Sequence, residues 1–131
     1  MSKNFLRLAF LFALLAVVFG AFGAHALKKV LSEYQLGIFD TGVRYQFYHA
    51  LGLVAAFLLK DHMPEKFTRW AAYCFALGIL LFSGSLYLLA CSEVIGLENK
   101  SIVGPMTPIG GLFFILGWGS LLLGSFKGDR V

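Results

Sequence analysis

Two ionisable side chains, Arg44 and His49, interrupt an otherwise apolar stretch of the chain. Tyr45 and His49 are four positions apart, as are Arg44 and Tyr48, so on a helix each pair shares a face. Ionisable groups inside a bilayer are costly and normally face protein or water. A histidine changes charge near neutrality, which makes His49 the candidate for proton chemistry. Arg44 suits an anionic headgroup or a carboxylate, with Asp40 and Glu93 as the candidate carboxylates. His25, Ser83, Ser85, Tyr87 and Thr107 add further polar groups to this candidate cluster. Two readings stand side by side. The functional one is a proton, ion or lipid-headgroup site. The structural one is a polar clamp, with Arg44 tied to Asp40 or Glu93 and the histidines bonded to backbone carbonyls.

Other chemistries lack their residues. No pair of carboxylates lies within an apolar block, and Ser83-Gly84-Ser85 has none of the strand-to-helix context of a nucleophile elbow. Cys74 and Cys91 fall in one apolar block. On one helix they would stand about 25 Å apart at about 1.5 Å per residue, too far for a disulfide. There is no CxxC and no Cys/His metal spacing, so neither a metal nor another cofactor is expected.

The elements that must position these residues follow from composition. Of 131 residues, 59% are hydrophobic and 14% charged, and the mean hydropathy is +0.79. A soluble domain has roughly a quarter of its residues charged, so this chain cannot cover a soluble surface. The net charge of +4 comes from Lys and Arg at the ends of apolar blocks. That placement suits topology and lipid headgroups, and without a basic stripe it gives no footprint for nucleic acid.

A transmembrane helix needs about 20 mostly apolar residues. Four blocks meet or approach this, at about 5–27, 42–59, 70–92 and 108–126, predicting an all-α, four-helix transmembrane bundle with short loops. Lys3, Arg7 and Ala24-His25-Ala26 resemble a cleavable signal peptide, but the apolar run from Leu8 to Ala24 exceeds the usual core of about 7–15 residues, so the block reads as a retained span. The second block is the least apolar, because Arg44, Gln46 and His49 lie within it. Residues 28–40 read as a loop or a short surface helix. Asp40 or Thr41 is the expected cap of the second helix. Gly104-Pro105 reads as a turn, with Thr107 as cap and Pro108 as first residue of the fourth helix.

Lys3, Arg7, Lys60, Lys66, Arg69, Lys127 and Arg130 fall on one side of four alternating spans, against Lys28, Lys29, Arg44 and Lys100 on the other. The positive-inside rule therefore predicts both termini in the cytoplasm, with the polar cluster in the opposite half. Small residues recur along the blocks: Ala9, Ala13, Ala16, Gly20 and Ala24 in the first, Gly52 and Ala56 in the second, and Gly110, Gly117 and Gly124 in the fourth. In lipid such stripes let helix backbones approach.

Four segments carry a family resemblance. They are Gly20-Ala21-Phe22-Gly23-Ala24-His25, Thr41-Gly42-Val43-Arg44-Tyr45-Gln46-Phe47-Tyr48-His49, Phe82-Ser83-Gly84-Ser85-Leu86-Tyr87 and Thr107-Pro108-Ile109-Gly110-Gly111. Together they resemble the domain of unknown function 423 family, over nearly the whole chain and in order. Its members are small membrane proteins, mostly of the bacterial inner membrane, with a related protein in animal cells. The resemblance implies four helices in the cytoplasmic membrane and transfers no catalytic or binding residue. The leading expectation is a structural or accessory protein that packs against itself, a larger membrane complex or lipids. The alternatives are a small-solute or proton transporter subunit, and a lipid- or quinone-binding protein.

Overall fold

A computed structural model describes residues 1–128. Asp129, Arg130 and Val131 lie outside the described residues, as does the side chain of Ala24. Arg130 of the charge count and the side chain of the stripe position Ala24 are thus outside what the structure describes.

The chain forms four long helices. The first, α1, spans Lys3–Leu27. Ser2 caps it, its Oγ accepting the Asn4 N–H at 3.2 Å. A single π-helical turn, Phe19–Gly23, interrupts it near its end. The second, α2, spans Glu33–Leu58, starting well before the expected Gly42. Asp40 and Thr41 are not its caps. Ser32 and Gln35 close a reciprocal capping box instead, Ser32 Oγ accepting at 3.2 Å and Gln35 Oε1 accepting the Ser32 N–H at 2.9 Å. That box satisfies two free N–H groups, Glu33 favours the positive end of the helix, and nothing breaks the run to Gly42. Thr41, inside the helix, donates back to the Gly37 carbonyl at 2.9 Å.

The third helix, α3, spans Glu65–Ala90 after Pro64 and carries a second π-helical turn at Ile79–Ser83. The fourth, α4, spans Val103–Gly128. Here too the expected boundary gives way. Gly104-Pro105 lies in the first turn, and Pro108 lies inside the helix rather than at its start. Pro105 is tolerated because N–H groups of the first turn have no helical partner in any case. Pro108 lacks the N–H that would reach the Gly104 carbonyl. Thr107 is spent elsewhere, on Ser85 of α3.

By length and composition α1, α3 and α4 are able to cross a membrane. The remaining helix, α2, has the length but is diluted by Glu33, Asp40, Arg44, Gln46 and His49. The extensive contacts run in chain order, α1 on α2, α2 on α3 and α3 on α4. The core holds Ala9 and Phe12 of α1, Ala50, Leu53 and Ala56 of α2, Phe75 and Ile79 of α3, and Phe114 and Leu121 of α4.

Missing side chains set the helix separations. The Phe75 ring wedges between Gly52 and Gly117, where an added Cβ would come within 3.0 Å and 2.6 Å of it. Gly110 lies on the backbone of Phe82, Gly124 on Phe67 and Gly20 on Val43. Ala16 and Ala56 are buried. At one end the N-terminal ammonium pairs with Glu65, which also takes Arg69 at 2.8 Å. Gly128 of α4 meets the His62 carbonyl at that same end.

Candidate functional site

The α2 helix carries His49 into the protein, where it is 5% exposed. Its Nδ1 lies 2.7 Å from the Tyr45 carbonyl oxygen, one turn back. A carbonyl only accepts, so Nδ1 must hold a proton, and in the neutral ring Nε2 is left with a lone pair. The ring lies flat on Phe114 of α4, with centroids 3.5 Å apart and planes 7° apart. Phe75 and Trp118 stand at 5.6 Å and 6.1 Å. Tyr45 packs on Phe82 at 4.7 Å.

The rings of Tyr45, His49, Phe114 and Trp118 wall a groove of about 980 Å³ between α2 and α4, with Phe82 of α3 also lining it. Leu112 and Ile115 line its outer part and are 54% and 69% exposed. On helices that cross a bilayer, such a surface meets lipid.

A second set of polar groups stitches helices together. Gln46 Nε2 donates to the Phe12 carbonyl of α1 at 2.8 Å, and its Oε1 accepts from Tyr87 of α3 at 2.7 Å. Ser83 donates to the Gly42 carbonyl at 2.7 Å, across the α2–α3 contact. Ser85 Oγ lies 2.8 Å from the Phe82 carbonyl and 2.5 Å from Thr107 Oγ1 of α4. Ser85 has one proton, so when it donates to the carbonyl, Thr107 donates to it. Ser120 of α4 donates to the Phe67 carbonyl of α3 at 2.8 Å.

The sequence-predicted residues thus separate into groups. Tyr45 and His49 line the groove. Ser83, Ser85 and Tyr87 are spent in helix contacts. Asp40 and Arg44 pair with each other at 2.7 Å on the outer surface of α2, both largely exposed. His25 and Glu93 are exposed, at the end of α1 and beyond the end of α3. Gln46, Phe82, Phe114 and Trp118 were missed. Gln46 had a signal, a lone amide in an apolar block. The aromatics had none, because their types are common in any span.

Comparison with known proteins bears on the whole chain. Residues 19–111 match the family described as "Protein of unknown function (DUF423)". The chain belongs to this family. That stretch runs from the π-turn of α1 into the start of α4, taking in Gln46, His49, Phe82 and Tyr87 and ending before Phe114 and Trp118. The chain is 41% identical to the UPF0382 membrane protein YwdK of Bacillus subtilis, over 95% of this chain and 98% of that one. It is also 41% identical to a UPF0382 membrane protein of Haemophilus influenzae, over 97% of each chain. The UPF0382 inner membrane protein YgdD of Escherichia coli is 33% identical over 98% of this chain and 94% of its own. No solved structure matches. The chain is an integral membrane protein, as its helices and its relatives together show.

Proposed function

We propose that this protein is an accessory component of the membrane, a rigid helical scaffold that works by association within the bilayer rather than by passing a solute. The observation that carries this is the use made of the interior polar groups. Gln46, Ser83, Tyr87 and Ser120 are each committed to a hydrogen bond that joins one helix to another. A transport route needs polar groups free to exchange partners, whereas bonds of this kind hold helices in register. Arg44 and Asp40, paired on the outer surface, do not continue a route from His49. Fifteen glycines, several at close helix contacts, suit the same role. The partner is a second copy, a larger membrane complex or bilayer lipid.

Two measurements on the same purified protein test this. Native mass spectrometry after gentle extraction should report a second copy, a partner protein or retained lipid. Proteoliposomes containing the chain should show no proton flux above protein-free vesicles. A pH-driven flux that His49→Ala abolishes, with folding intact, would sink the proposal.

A further inference from the structure

We propose that the groove between α2 and α4 binds a membrane-dissolved hydroquinone-class molecule, a flat ring bearing a hydroxyl and an apolar tail, with His49 Nε2 accepting from that hydroxyl. This goes beyond the scaffold role and does not depend on it.

The entrance sets the kind of ligand. Leu112 and Ile115 present the groove to the side of the helices, so a molecule dissolved in the bilayer reaches it without crossing water. The volume of about 980 Å³ lies at the upper end of the range for small-molecule sites, enough for a ring and the first part of a tail.

Charge complementarity narrows the class. No Lys, Arg, Asp or Glu lines the groove among the described residues. Arg44, the nearest candidate cation in sequence, lines an adjoining pocket with Val17 and Phe47 that shares only Tyr48 with the groove, and it is paired with Asp40. A phosphate headgroup would enter without a countercharge, which a bilayer interior penalises. A neutral head is the one that fits.

Hydrogen bonding narrows it further. Nδ1 is engaged by the Tyr45 carbonyl, so Nε2 offers only a lone pair. Nε2 is not an enclosed atom and has no protein partner among the described residues. An unengaged acceptor on a residue that lines an apolar groove calls for a donor, and a neutral hydroxyl supplies one. Tyr45 and Tyr48, which also line the groove, carry hydroxyls that both donate and accept, the kind of group that serves a second ligand oxygen. The wall decides the shape of the head. Tyr45, Phe114 and Trp118 flank His49, and Phe82 packs on Tyr45 and Phe114, so the wall offers ring faces and edges against which a flat ring gains contact that a single alkyl chain does not.

The chain has two tryptophans. Trp70 lies away from the groove, beside Arg69 and Tyr73, so Trp70→Phe leaves Trp118 as a reporter on its wall. In lipid nanodiscs this variant is titrated with 2-decylhydroquinone, with its dimethyl ether and with 1-decanol, reading Trp118 fluorescence. The hydroquinone should bind saturably. The ether, having lost the donor, should bind about tenfold more weakly, the scale of one hydrogen bond of about 1.4 kcal/mol, and decanol, which keeps a hydroxyl but has lost the ring, should also bind more weakly than the hydroquinone. His49→Phe keeps a ring on Phe114 and removes Nε2, so hydroquinone and ether should then bind alike. Should that variant not fold, Leu112→Phe fills the outer groove from an exposed position and should weaken all three probes. Equal binding of hydroquinone and ether to the Trp70→Phe protein, equal binding of decanol, no saturable binding, or indifference to Leu112→Phe would each overturn the proposal.

Discussion

The imidazole of His49 on α2 lies face to face with the ring of Phe114 on α4, 3.5 Å between centroids. The backbones of these two helices make no extensive contact, so this stack is a main bridge between them. Gly78 lets it form, because any side chain there would strike the Phe114 ring. Phe114→Ala should therefore loosen α4 as well as empty a core position, at a cost of about 3–5 kcal/mol. Unfolding in detergent by a graded denaturant measures it. A loss no larger than that of an exposed substitution such as Leu122→Ala would refute the bridging role.

Gly110 is the closest backbone approach on α4. An added methyl would meet the Phe82 backbone, with its Cα at 2.8 Å. Backbone cannot turn aside as a side chain does, so Gly110→Ala should cost about 1–3 kcal/mol. Gly119 lies on the same helix with nothing within 4 Å of its missing Cβ. There Gly119→Ala should be neutral or stabilise by up to about 1 kcal/mol. Parallel thermal unfolding of the two variants decides it, and equal effects would contradict the contact.

Gln46 and Tyr87 form one unit, the amide bridging α1 to α3 through a phenol. Removing either leaves the other with an unmatched group. A double-mutant cycle with Gln46→Ala and Tyr87→Phe should return a coupling of about 0.6–1.7 kcal/mol, the range for such bonds in membrane proteins. Strict additivity would mean that the bond contributes nothing.

The end that holds the N-terminus, the α2–α3 turn and the end of α4 carries most of the Lys and Arg. It should face the cytoplasm. With Cys74 and Cys91 replaced by alanine, single cysteines at His62 and at Glu98 report each end. An impermeant thiol reagent added to intact cells should label Glu98→Cys and spare His62→Cys. The reverse pattern would invert the protein in the membrane.

Hydropathy alone determined that the chain lives in a membrane and where the apolar parts of its helices lie, because a bilayer demands long apolar runs with internally satisfied backbone. Trp70 to Ala90, with no charge, reads only as a span, while Leu8 to Leu27 reads as one because its apolar run is too long for a signal peptide. Small residues such as Gly110 and Gly117 were legible as contact positions for the same local reason, that a missing side chain lets another element approach. Helix starts were less legible. The sequence reading capped the second helix at Asp40 or Thr41 and began the fourth at Pro108, whereas the fold begins the second at the Ser32 capping box and takes Pro108 inside the fourth, with Thr107 bonded to Ser85.

The candidate site was decided by tertiary structure. Sequence placed Tyr45 and His49 on one face, since that follows from helical spacing. It also grouped them with Arg44, Asp40 and His25, which the fold leaves on the outside. Which face of α2 turns inward depends on what α1 and α3 present to it, and Phe12, Tyr87 and Ser83 select the side bearing Gln46 and Gly42. With that side inward, His49 comes to Phe114, sixty-five positions further along the chain. No local pattern encodes that meeting, because ring stacking across two helices depends on their separation and rotation, and those are set by packing over the whole bundle.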